Sequence, residues 1–436
     1  LNLSTALDVT NNRLNRFFPL RTKDERKEFD WNSILGNVIG EVYRKQLAVT
    51  SLAEFEALCE QDLKQRLDDP AFWQVLKVMY FDSGDILSIA PEFLLFRSEE
   101  VDENKHNQRV GDMFVNLLGG KTLLNLSPIR LNFIEQIVLD VFERKALKPE
   151  EKIKRKTLKE QPYLPFLADC FKNDLDFLGT KPRYLLENFE SFLKLYGFLY
   201  TSQLAHNLIN WSEGEPKSCS NYLILDTEKA STERKYLNEY GYKQLYKHVH
   251  RIFPYLTMSE MLQAGRDEIQ PLWMLANGIR NLDALTEPLN DFAQRFKDER
   301  QLTKVNIEPQ QTSIAALRQV LKLAVEQFHT GNKDKDDINI NFGKAAIKHM
   351  CSDFIQQRGA AGSVLVMNQD YLLLLTNLVI GSRDALRFNE LIKGFNQRGI
   401  YFDKQSQAEI VQFYERIGNV ERMSDSGDAV YVRKTV

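Results

Sequence analysis

A chain of 436 residues, 43% hydrophobic and 27% charged, is long enough for two or three globular domains, each with a sizeable core. Its 57 Lys and Arg against 60 Asp and Glu leave a formal net charge of -3. That excludes a uniformly basic nucleic-acid coat and confines any DNA contact to a local patch.

From the N-terminus, Leu1-Asn2-Leu3-Ser4 has neither the basic start nor the apolar core of a secretion signal, and it lacks a methionine, so leading residues can be missing. Helical spacing then dominates to about residue 143. Trp31–Leu47 carries Ile34, Leu35, Val38, Ile39 and Val42 on one stripe, and Leu52–Leu67 carries Phe55, Leu58, Cys59, Leu63 and Leu67. Pro70 fits a first helical turn behind Asp68 or Asp69 as cap, and Leu131–Phe142 supplies another apolar helix. Composition shifts at Arg144–Gln161, the most basic stretch of the chain. It holds Lys152, Lys154, Arg155 and Lys156 and reads as a solvated linker first and a phosphate-contacting surface second.

Helical pattern resumes at Tyr163, and Tyr184–Trp211 reads as one long or bent helix whose aromatic stripe belongs to a core. Asn221–Asp226 breaks it as a strand. Gly331–Asp337, running on to Gly343, has the composition of a polar loop, and Gly359–Ser363 that of a hinge. Beyond the hinge, Asp370–Ile380 and Ala385–Gln397 are amphipathic helices, Ile400–Phe402 is a short strand, and Ser406 with Glu409 resembles a capping box opening a third helix. Val420–Met423 and Ala429–Val432 flank a polar turn, Ser424–Asp428. Helix, helix, strand, helix, hairpin is the order of a winged helix-turn-helix. Its third helix would present Gln405, Gln407, Gln412 and Arg416 outward, where Gln can pair with adenine and Arg with a base or a phosphate. From Asp370 onward nine cations meet nine carboxylates, so contact with another protein ranks ahead of duplex reading.

Signs of catalysis are weak. Gly119-Gly120-Lys121-Thr122 resembles the end of a phosphate loop, but Val115 stands where the motif needs glycine, and the glycines read better as a helix stop. Asp226, Glu228 and Lys229 invite comparison with metal-dependent nucleases, on spacing that chance also produces. His248 and His250 point to different sides of a helix and His106, His206, His329 and His349 lie far away in sequence, so no metal cluster can be assigned. Cys59, Cys170, Cys219 and Cys351 are scattered, which reads as reduced, buried thiols in a cytoplasmic protein.

Two runs carry a family resemblance: Asn221 to Ser231 (NYLILDTEKAS) with Arg234 soon after, and Ser424 to Val432 (SDSGDAVYV). Together they resemble DptG, the G component of bacterial DNA phosphorothioation-dependent restriction systems, over the whole chain in length and order. The resemblance brings no active site. It implies an anti-phage defence protein acting with two larger partners, an F component resembling a P-loop ATPase and an H component resembling a DNA translocase or helicase. Such systems attack DNA that lacks the host's phosphorothioate mark.

The sequence is therefore read as a mainly α, multi-domain helical protein with a C-terminal winged helix-turn-helix. The segments are a helical domain 1–143, a basic linker 144–162, a mostly helical domain 163–365 and the winged helix 366–436. The expected role is a non-catalytic subunit or adaptor of the restriction complex, without cofactor, metal or membrane. Partners are the F and H components, with DNA as a further candidate through Gln405, Gln407, Gln412, Arg416, Lys152, Lys154, Arg155 and Lys156. A metal-dependent nuclease subunit and a stand-alone winged-helix DNA-binding regulator are the alternatives.

Overall fold

The computed structural model describes residues 17–20, 29–67, 69–98, 105–119, 129–153, 161–230, 233–264, 266, 268–422 and 430–436. The described chain is mainly helical. Contacts divide it into a smaller unit, Phe29–Leu158 and Lys172–Leu193 with Val436, and a larger unit, Leu1–Glu28, Lys159–Phe171 and Lys194–Thr435. These units interleave along the chain, whereas the four segments read from sequence run consecutively. The assignment changes inside two long helices, where no loop composition marks a boundary.

The smaller unit holds α1 Trp31–Tyr43, α2 Leu52–Lys64, α3 Trp73–Leu76, α4 Lys105–Leu118 and α5 Phe133–Val141. The stripe expected on α1 is buried, and the helix stops four residues early because Arg44 turns left-handed (φ 52°) and its N–H closes on Gly40 and Glu41 carbonyls. Asp69 caps the turn at Pro70 by accepting from the Ala71 N–H at 2.8 Å, while Asp68 lies outside the described residues. Asn132 and Glu135 form a reciprocal capping box on α5. Gly119 (φ 57°) ends α4, as a helix stop should, while Gly120 to Thr122 lie outside the described residues.

The basic segment begins inside this unit and not in a linker. Phe142–Ala146 continues α5 as a wider π turn with Phe142 and Ala146 buried, and Leu147 bridges Leu47. Arg144 pairs with Asp140 (2.5 Å) and Lys145 with Asp62 (3.1 Å), so the first cations of the run are committed to carboxylates.

The larger unit contains α6 Pro165–Gly179 in part and most of α7 Pro182–Ile209, whose residues 195–208 are all buried. A helix buried on every side is a central one, and its polar residues Ser202, Gln203 and His206 are hydrogen-bonded. Around it come β1 Asn221–Tyr222, β2 Ile224–Leu225, α8 Lys235–Tyr240, α9 Tyr242–Val249, α10 Ile252–Met261, α11 Leu272–Ile279, α12 Thr286–Glu299, α13 Ser313–Glu326 and α14 Lys333–Cys351. The expected polar loop over 331–343 is mostly α14. Asn332 caps it on the Asp334 N–H, Asp334 and Asp336 sit where a helix N-terminus favours negative charge, and Phe342, Ala345, Ala346 and Met350 bury one face. Gly343 lies within it because a Cβ there would stand 2.4 Å from the His250 ring.

The hinge expected at 359–363 is the turn of a hairpin between β3 Ile355–Gln357 and β4 Ser363–Met367. β2 pairs with β4 in parallel, so the strand read at 221–226 finds its partner there. After β4 the chain forms α15 Gln369–Ile380, β5 Ala385–Arg387, α16 Phe388–Gln397, β6 Ile400–Tyr401, α17 Lys404–Arg416, β7 Val420–Arg422 and β8 Val430–Arg433. β5, β8 and β7 form one antiparallel sheet with β8 in the middle. Residues 385–387, expected as the start of a helix, are therefore an extended edge strand. β6 does not join that sheet but pairs in parallel with β1. No helix among the described residues is long and apolar enough to cross a membrane.

Candidate nucleic-acid or partner interface

α17 takes its start from Asp403, whose carboxylate accepts from the Ser406 N–H at 2.9 Å. Ser406, expected as the cap, is instead a buried residue of the first turn. Ile410, Phe413 and Tyr414 bury the inner face, and the Tyr414 hydroxyl meets Thr376 of α15 at 2.5 Å. Tight α15–α16 packing completes the support, since a Cβ on Gly394 would stand 2.2 Å from Val379.

Gln405, Gln412 and Arg416 are exposed on the outer face of α17. Gln407 departs from the expected set: half-buried, it donates from its amide to the Phe402 carbonyl at 2.8 Å and so ties the strand exit to the helix. Gln412→Ala and Arg416→Ala are expected to change stability by less than about 0.5 kcal/mol, as for exposed sites, and Gln407→Ala to cost about 1 kcal/mol for its hydrogen bond. Urea unfolding checks all three; a larger loss for Gln412 or Arg416 would mean the outer face has been misassigned.

Lys404 and Arg416 share this helix with Glu409 and Glu415, so the face is close to neutral and offers little of the phosphate neutralisation on which duplex affinity rests. Of the basic run, Lys152 is exposed, while Lys154, Arg155 and Lys156 lie outside the described residues, as does the Ser424–Asp428 turn.

Behind α17 stands a buried ionic cluster. The Arg234 guanidinium donates to Glu228 Oε2 at 2.7 Å, to both Asp403 oxygens at 2.8 and 2.5 Å and to Ser406 Oγ at 2.7 Å. Ser406 Oγ in turn donates to Glu228 Oε2 at 3.1 Å, and Glu228 Oε1 accepts from the Leu225 N–H at 2.8 Å. Burial pushes the Asp403 carboxyl up, but the bonds from Arg234 and the Ser406 N–H outweigh it and hold Asp403 below the usual carboxylate range. Glu228 and Arg234 thus clamp the strand segment to α17.

This gives Glu228 a structural role. The nuclease comparison needed Asp226, Glu228 and Lys229 to converge, yet Glu228 is spent on Arg234 and Lys229 is exposed. Among the described residues no three His, Cys, Asp or Glu are placed to hold a metal ion.

A second tie uses Gly399 (φ 88°), where a Cβ would fall 2.0 Å from Gln203 Nε2. The close approach lets the Gln203 amide bind both the carbonyl and the N–H of Cys219, each at 2.8 Å. Asn221 extends the same network to Ser202 Oγ and the Gly399 carbonyl.

The histidines are closer than their spacing implied. His206 Nδ1 lies 2.8 Å from His248 Nδ1, and His206 Nε2 lies 2.8 Å from Asn221 Oδ1. Burial lowers both rings, and His248, also facing His206, Lys247 and Arg251, is brought down to about 4. A pairing across 42 residues leaves no local signature, so sequence reading missed it. None of the four cysteines is in a disulfide; Cys59 and Cys351 are buried and Cys170 and Cys219 half-buried. The sequence matches no protein-family model and no curated protein.

Proposed function

We propose that this chain is a non-catalytic subunit of a DNA phosphorothioation-dependent restriction complex, a DptG-like adaptor in anti-phage defence that docks on an ATPase and a translocase or helicase partner. The observation that carries the subunit reading is an apolar row on the smaller unit. Phe72, Val75, Val78 and Met79, at helical spacing, are 46, 48, 54 and 52% exposed. Exposed apolar surface of this continuity is what a docking partner covers. The C-terminal module is read as a winged helix. The order helix, strand, helix, helix, hairpin with the first strand beside the last, interrupted only by β6, which pairs outside the sheet with β1, supports that reading, and the near-neutral outer face of α17 favours a protein surface over a duplex.

Co-expression of the tagged chain with its genomic neighbours, followed by purification with and without nuclease treatment, tests the proposal. An ATPase is expected to co-purify in both cases, and Val75→Glu with Val78→Glu to remove it while the melting temperature holds. A chain that purifies alone and binds one duplex at physiological salt would replace this reading with that of a DNA-binding regulator. Magnesium-dependent cleavage by the lone chain would replace it with a nuclease.

A further inference from the structure

The larger unit carries a basic hollow that the adaptor role does not use. It is a concavity of about 480 Å³ framed by the end of α7 (Ile209), the corner between α9 and α10 (Lys247, His248, Arg251, Tyr255) and one face of α13 (Arg318, Lys322, Glu326). Arg318, Lys322 and Glu326 recur at four-residue steps, which brings all three to the same side of α13. Four cations thus face a single carboxylate. Among the described residues, none of Lys247, Arg251, Arg318 and Lys322 forms an ion pair.

Elsewhere the protein neutralises its clustered cations, as with Arg144, Lys145 and Arg234. Four like charges converging on one carboxylate, with no ion pair formed, repel one another, a cost that an anion in the hollow would reverse. Arg and Lys together are suited to the oxygens of a phosphate, Arg by its planar fork and Lys as a point charge. The walls are not purely polar. Tyr255 and Ile209 offer an aromatic and an aliphatic surface, and a second hollow of about 330 Å³ shares Ile209 and His248. That second hollow is also lined by Gln244, whose Oε1 is buried with no hydrogen-bond partner, an acceptor awaiting a donor.

We propose that this hollow binds a phosphate ester of nucleotide size, with Lys247, Arg251, Arg318 and Lys322 gripping the phosphate and the organic part lying toward Ile209 and Gln244. The volume falls in the range of small-molecule sites. The phosphate could belong to a free nucleotide or to the backbone of single-stranded nucleic acid, and the two share the same recognition chemistry.

Calorimetric titration of the full chain at low ionic strength, with inorganic phosphate, a nucleoside monophosphate, the uncharged nucleoside and a short single-stranded oligonucleotide, decides the matter. The monophosphate is expected to bind, inorganic phosphate to compete with it, and the nucleoside to give no heat. Arg318→Glu with Lys322→Glu, and separately Lys247→Gln with Arg251→Gln, should each weaken binding about tenfold or more with the melting temperature unchanged. Tighter binding of the oligonucleotide, with a steep salt dependence that both variants flatten, would assign the phosphate to nucleic acid; equal or weaker binding would assign it to a free ester. The proposal is overturned if no phosphate compound binds, or if both folded charge variants bind as the native chain does.

Discussion

Arg234→Ala is expected to cost the larger unit about 3–5 kcal/mol, the range for removing one partner of a buried ion pair. The size follows from what remains. Glu228, 6% exposed, would keep only the Leu225 N–H and the Ser406 hydroxyl as donors, and its charge would lose the guanidinium that makes burial tolerable. Asp403 would still cap α17 through the Ser406 N–H but would be released from the strand segment. Arg234→Lys should recover part of the loss, because an ammonium can reach one carboxylate but cannot bridge both with a planar fork.

Acid provides a separate check on the same cluster. Asp403 is held below its ordinary value, so its contribution is fully present above the unfolded pKa near 4 and is lost as pH falls through the lower folded value. The gap between native and Arg234→Ala stability should therefore narrow below about pH 4. Urea unfolding at pH 7 and at stepped acid values measures both effects. A pH 7 loss under about 1 kcal/mol would show that Arg234 does not clamp α17.

That clamp illustrates what a linear reading reaches. Asp403 and Ser406 are both competent caps three residues apart, and the sequence near α17 cannot rank them; Arg234, 169 residues earlier, takes the Ser406 hydroxyl and both Asp403 oxygens and so settles which one caps. The motif was visible at Asn221 to Arg234 but not its meaning. Where apolar residues recur at helical spacing, periodicity was enough, both for α1 and α2, which bury one face, and for α7 and α15, which are buried over most of theirs. It failed where two periods fit the same residues. Phe388, Leu391, Ile392 and Phe395 set a helical spacing that reads back as far as Ala385, yet β8 captures 385–387 as a strand. In α14 the alternation of Ile338, Ile340 and Phe342 behind an acidic start hides a helix whose inner face is built largely from Ala345, Ala346 and Met350. Of the proposed outer-face residues, Gln405, Gln412 and Arg416 are exposed as read, while the basic hollow draws on helices far apart in sequence and has no local pattern to find.

Phe55→Ala is expected to destabilise the smaller unit by about 3–5 kcal/mol, the usual cost of emptying a fully buried phenyl site. Phe55 is wholly buried on α2 and lies within 5.1 to 6.2 Å, ring centre to ring centre, of Phe96, Phe142, Phe93 and Phe81. It stacks on Phe96 and meets Phe142 edge-on, so truncation removes favourable ring geometry as well as apolar area. Collapse of the cavity is opposed by Phe93 and Phe142, already packed 4.6 Å apart and anchored on separate segments. Phe55→Leu retains most of the volume but no ring and should cost about 1.5 kcal/mol. Trp73, buried against Phe81 at 5.8 Å, supplies a fluorescence reporter within the same cluster. Its denaturant midpoint should fall in the order native, Phe55→Leu, Phe55→Ala. Equal midpoints for the two variants would mean that the volume Leu retains contributes nothing, and would place the whole cost in the lost ring contacts.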